Sequence, residues 1–171
     1  MSLVLTNLVG FCAKRESGCS CTPAYVTGNR TGSITASAHG FTAQGGGATA
    51  LVDGSVSDNS TNSTWFPTGQ NVAGISFRYD FGASSSIKVT EILWKQSTSS
   101  THGTWRVRAS DDASSWTTLG SDFTLGGSTD QTITEPAANT TGYRYYEIYG
   151  VSGTGSNTPY LREVEFKQCT C

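Results

Sequence analysis

The feature that most constrains this chain is a two-residue alternation of apolar and polar side chains, repeated in short runs that end in Gly, Ser, Asn or Asp. Ile75-Ser-Phe77-Arg-Tyr79-Asp-Phe81 shows it, and so does Trp105-Arg-Val107-Arg-Ala109. Successive side chains of a strand point to opposite faces, so each run buries one face and leaves its arginines on the other. Residues 87–94, residues 143–150 and Val164-Glu-Phe166 read as further strands. From Thr31 onward such runs recur at roughly ten-residue spacing, the signature of a β-sandwich. No segment carries a 3.6-residue period of helical length, and no solenoid-type repeat is present.

Composition narrows the partners. The chain has 171 residues, one domain's worth, and only 14% are charged. The net charge is -2 and there is no Lys/Arg run, which argues against nucleic acid. No apolar stretch approaches transmembrane length. The Ser/Thr-rich loops at 55–64 and 96–104 and the loop at 152–158 lack the apolar tips and basic surrounds of a membrane-docking surface. The first fourteen residues lack a basic n-region and read as no secretory signal, or as a chain already trimmed.

Residues 1–30 differ in character from the rest of the chain and read as an N-terminal arm. It includes a strand expected over residues 2–9, Pro23 and a Gly28-Asn29 turn. Residues 31–167 form the sandwich and residues 168–171 a short tail. Five cysteines lie at the two ends only, as Cys12, Cys19 and Cys21, then Cys169 and Cys171. The two C-x-C pairs have two readings. They form two disulfides stapling arm to tail, with Cys12 left over, or four thiolates around zinc.

Four segments in order carry a family resemblance: Ala50-Leu-Val-Asp53-Gly54 with Trp65 after a polar loop, Tyr79-Asp-Phe-Gly82, Ala109-Ser-Asp111-Asp112-Ala113-Ser-Ser-Trp116, and Tyr143-Arg-Tyr-Tyr146 with Leu161-Arg-Glu-Val-Glu-Phe166. Together, over residues 31–167, they resemble the discoidin-like, coagulation factor 5/8 type C (galactose-binding-like) domains. The resemblance implies an all-β jelly-roll sandwich of about eight antiparallel strands. The loop from Gly54 to Trp65 is longer than is usual in the family, and Ala113 stands where its hairpin usually has Gly.

The resemblance also implies sites. Calcium takes several oxygens, and Asp53, Glu163 and Ser63 or Thr64 match the family's cation-binding positions. The carbonyls of Ala50 and Arg162 would complete the shell, with Asp58 an added ligand from the longer loop. The competing reading makes Asp53 an Asx-turn former before Gly54 and Glu163 a solvated strand residue. Sugar-binding relatives hold their ligand on loops at one end of the sandwich, using an aromatic face and fixed polar groups. The candidates there are Trp65-Phe66, Gln96, His102, Asn157 and Tyr160, with Trp94 able to serve either site or core. Trp65, Trp105 and Trp116 also occupy positions the family uses for packing.

Catalysis finds no support. His39 and His102 are far apart with no nucleophile motif, and Asp111-Asp112 reads as a turn. The expected function is a non-catalytic carbohydrate-binding module. It would work outside the cell or on the surface of a virus particle, where a bacteriophage would use it for host attachment and the arm would dock it on a larger assembly. The alternative is a structural or decoration module without glycan affinity. Four N-x-Ser/Thr sequons begin at Asn29, Asn59, Asn62 and Asn139, and would matter only in a eukaryotic secreted protein.

Overall fold

The computed structural model describes residues 19–171, so the strand expected over residues 2–9 and Cys12 lie outside them. Among the described residues nine strands pack as two antiparallel sheets. They are β1 (Ala24–Val26), β2 (Thr35–His39), β3 (Ser76–Asp80), β4 (Ile87–Gln96), β5 (Thr101–Ser110), β6 (Thr117–Gly126), β7 (Asp130–Ile133), β8 (Tyr145–Ser152) and β9 (Leu161–Thr170). One sheet runs β1-β9-β4-β7 and the other β2-β3-β8-β5-β6. The only helical pieces among the described residues are 3₁₀ turns at Ala48–Val52 and Glu135–Ala138. This is the two-sheet sandwich the alternations imply and the all-β jelly roll the resemblance implies.

The core lies between the sheets and is built from the apolar half of each alternation. Phe77 and Tyr79 of β3, Trp105 and Val107 of β5, and Ile148 of β8 face Ile92, Trp94, Val164 and Phe166 of the other sheet, and all are buried. In β4 the inward set changes parity, from Ile87 and Val89 to Ile92 and Trp94. The pairing with β9 shifts register between Val89 and Glu91. One extra residue in a strand turns every later side chain to the other face. Trp105 is core, whereas Trp116 is half-buried on the outer face of the five-stranded sheet, 5.0 Å from the guanidinium carbons of both Arg78 and Arg108.

Residues 24–30 and 168–170 belong to the sandwich more fully than the composition suggests. β1 pairs with β9 through Ala24↔Gln168 and Val26↔Phe166, Arg30 is buried, and β9 continues to Thr170. A boundary at residue 30, and another at 168, would therefore cut through paired backbone. Cys19 bonds to Cys171 and Cys21 to Cys169. These two disulfides lie at the pole where β9 ends and β4 begins.

Candidate functional site

Three loops meet at the opposite pole: the segment from Asp53 to β3, the β4–β5 turn and the β8–β9 connection. An isolated bridge, Thr64↔Leu161, fastens the first loop to the start of β9. That pairing puts Thr64 and Phe66 inward and Trp65 outward, because the period is two. Thr64 and Phe66 are fully buried, whereas Trp65 is half-buried. The Trp65 ring meets the Tyr160 ring edge to face, with centroids 5.5 Å apart and planes at 80°. A side chain at Gly45 would collide with the indole, its Cβ falling within 2.9 Å of the ring carbon Cη2, so the glycine makes room for the tryptophan. Tyr160 is set by its neighbours, its N–H donating to Ser97 Oγ at 2.9 Å and its carbonyl accepting from Ser97 N–H at 2.9 Å.

The same loops carry polar pairs. Asn157 is exposed and donates Nδ2–H to Thr68 Oγ1 at 2.7 Å. Arg162 forks onto Asp58, with Nε and Nη2 at 2.7 and 2.6 Å from the two carboxylate oxygens. That bidentate pair pins the lengthened loop to β9 and holds the Asp58 carboxyl below the usual carboxylate range.

Four of the expected ligand contacts are instead inside. Phe66, Trp94, Gln96 and His102 are all 0% exposed, so none of them reaches a ligand on this surface. Phe66 packs on Phe77 and Trp105, and Trp94 sits over Phe77. Gln96 is a hub. Its Oε1 accepts from Trp94 Nε1–H at 2.8 Å and lies 3.1 Å from His102 Nε2. Its Nε2 donates to the carbonyls of Thr98 and Ser100, both at 2.7 Å. His102 Nδ1 accepts from the Ser156 N–H at 3.1 Å. The ring is therefore the neutral tautomer with its proton on Nε2, donating to Gln96. Burial pushes its pKa down to about 4. These buried residues hold the β4–β5 and β8–β9 loops from beneath.

The residues expected around calcium have other partners. Asp53 Oδ1 accepts the Ser55 N–H at 2.7 Å, forming the Asx turn of the competing reading. Ser63 Oγ donates to the Asn59 carbonyl, and Thr64 Oγ1 to the Gln44 carbonyl at 2.7 Å. Asp58 is committed to Arg162. Ala50 lies in the first 3₁₀ turn and Arg162 near the start of β9. Glu163 is buried, not solvated. Its Oε2 accepts the Gly54 N–H at 2.8 Å, and its other oxygen is ion-paired with Arg30. With a guanidinium already on Glu163, these residues do not fit a divalent cation there, because the two positive groups would repel at short range.

The F5/8 type C domain model matches residues 33–164. The chain belongs to this family. Among solved structures it is similar to a family 32 carbohydrate-binding module of Clostridium perfringens NanJ, solved with galactose. That likeness has a TM-score of 0.59 at 17% identity, over 84% of this chain and 98% of that one. A fragment of a putative chitobiase from Bacteroides thetaiotaomicron gives 0.60 at 16%, over 86% and 93%. The lectin domain of lectinolysin, solved with Lewis b antigen, gives 0.54 at 20%, over 77% and 90%. No curated protein matches in sequence. These likenesses concern the fold. Among the described residues no helix is long and apolar enough to cross a membrane.

Trp65 and Phe66 are both candidates for the ligand surface in the sequence, with packing the competing reading for Trp65; in the structure Phe66 is buried and Trp65 half-buried. Alternation across Thr64-Trp65-Phe66 tells that one aromatic is in and the other out. Only the bridge to Leu161 says which.

Proposed function

We propose that this chain is a non-catalytic carbohydrate-binding module whose ligand rests on the Trp65–Tyr160 pair. The observation that carries the proposal is this outward aromatic corner, on loops that also carry the Asn157–Thr68 pair and the Asp58–Arg162 fork and that Gln96 and His102 hold from beneath. Sugar C–H faces pack on such rings, and ring hydroxyls pair with fixed amide, hydroxyl and charged groups. The similar folds solved with galactose and Lewis b antigen support the ligand class.

The pole arrangement supports a display role. Cys19 and Cys171 are joined at the end of the sandwich opposite Trp65. A larger assembly, such as a virus particle, that held the chain through the segment before Cys19 would leave the binding loops facing outward for host attachment.

A glycan array of the purified domain tests the reading. Selective binding that Tyr160→Ala removes, in a protein that remains folded, is the expected result. No binding by a folded protein would leave a structural or decoration module as the better account.

A further inference from the structure

Arg30 lies in the segment the composition assigns to an arm, yet its side chain is 3% exposed. Its guanidinium is surrounded by oxygens from four residues in two distant parts of the chain. Nε donates to the Gly28 carbonyl at 3.1 Å. Nη1 donates to the Val26 carbonyl at 3.2 Å and to the Val164 carbonyl at 2.8 Å. Nη2 is paired with the Glu163 carboxylate. Glu163 in turn holds Gly54, and the Arg30 N–H donates to the Val52 carbonyl at 2.8 Å. Gly54 is also pressed against this cluster: its φ is +80°, and a Cβ there would sit 2.5 Å from the Asn29 nitrogen.

Three backbone carbonyls and a carboxylate converging on one positive group are the donor types that otherwise hold a hard divalent ion. Here the group is planar and always charged, and its donors are used several at once. We propose that Arg30 is a built-in cation: it takes the place of a divalent metal in clamping the Asp53–Gly54 turn and β1 to the last strand. The domain therefore holds its loops without calcium. Glu163 supplies the countercharge to Arg30. Asp53 and Glu165 add to the negative field that favours the charged guanidinium. The inference does not depend on what the loops bind, so its test reads stability and metal uptake and not sugar affinity.

The test is thermal unfolding and terbium luminescence of the intact, oxidised protein, in EDTA and in millimolar calcium. The expected result is a midpoint that moves by no more than about a degree between EDTA and calcium, and no saturable terbium signal. Arg30→Ala leaves a buried carboxylate alone, and its midpoint should fall by about 10 °C. In the double variant Arg30→Ala with Glu163→Gln, the loss should be smaller than the sum of the single losses. If Arg30→Ala does not fold, Arg30→Lys decides. It keeps the charge but cannot reach four acceptors, and it should unfold well below the wild type. Two outcomes overturn the proposal. One is a wild-type midpoint raised several degrees by calcium, with the rise abolished in Glu163→Gln. The other is an Arg30→Ala or Arg30→Lys variant as stable as the parent.

Discussion

Lowering the pH from 7 to 5 should loosen this domain, and His102 is the reason. The ring is buried and its Nδ1 must stay unprotonated to accept the Ser156 N–H. Its pKa is pushed from the ordinary 6.5 down to about 4. In the unfolded chain the imidazole protonates near 6.5, so the unfolded state takes up a proton that the folded state refuses. The stability this group contributes is complete above pH 6.5 and falls as the pH drops toward 4. Between pH 7 and 5 that linkage removes about 2 kcal/mol. Carboxylates with ordinary or depressed pKa values are still ionised at pH 5, so they contribute little to this window. His39, on the outer edge strand, is also shifted downward, by burial first and by Arg78 second, and adds a smaller slope of the same sign. The assay is urea unfolding followed by tryptophan fluorescence at half-unit pH steps, on the parent, His39→Gln and His102→Gln. The His102 variant starts less stable at pH 7 but should lose most of the pH 7-to-5 slope, and the His39 variant should keep it. A His102→Gln protein with the parent's slope would refute the neutral, doubly bonded histidine.

Named contacts lead to three more expected outcomes. Gln96→Leu keeps the volume but strands Trp94 Nε1–H, His102 Nε2–H and two loop carbonyls, so unfolding by urea should show a loss of about 2–4 kcal/mol. Ala113 sits at φ +57° in the β5–β6 hairpin, where glycine is at ease. Ala113→Gly should raise stability by about 0.5–1 kcal/mol, read as a higher denaturation midpoint. The two disulfides are nested, so with one intact the other closes only a small ring. Removing either alone, as Cys19→Ser with Cys171→Ser, should cost about 2 kcal/mol, and removing the second about 5 more, by loop-closure entropy. Equal, additive losses would show that ring closure is not what these bonds contribute.

How far the residues alone reveal the fold depends on where the alternation is unbroken. β3 and β5 read correctly because Phe77, Tyr79, Trp105 and Val107 share a parity with no inserted residue between them. β4 shows where the rule needs care. Beyond the bulge at Val89 and Glu91, the even positions face inward, which carries Gln96 into the core beside Trp94. His102 is hidden from sequence for a similar reason. Gly103, at φ +81°, and the register shifts near Thr104 turn the start of β5, so His102 points in although its number has the outward parity. Arg30 is invisible in the sequence because an isolated arginine between a Gly-Asn turn and a Thr-Gly pair looks like a solvated loop. Its partners, Val164 and Glu163, are more than 130 positions away. Tyr160 and Asn157 are legible as loop residues. The meeting of Tyr160 with Trp65 depends on the Thr64↔Leu161 bridge, a long-range contact no local pattern encodes.

The most direct measurement of the proposed sugar site is a two-dimensional amide and indole NMR titration of the labelled domain with a glycan the array selects. The Trp65 indole N–H and the amides around Ser97, Asn157 and Tyr160 should shift together and saturate with one dissociation constant. The buried Trp94 and Trp105 indoles and the Cys169–Cys171 pole should stay still. Saturable shifts centred on the outer sheet face around Trp116, or on the disulfide pole, with the Trp65 indole unmoved, would contradict a site on the Trp65–Tyr160 pair.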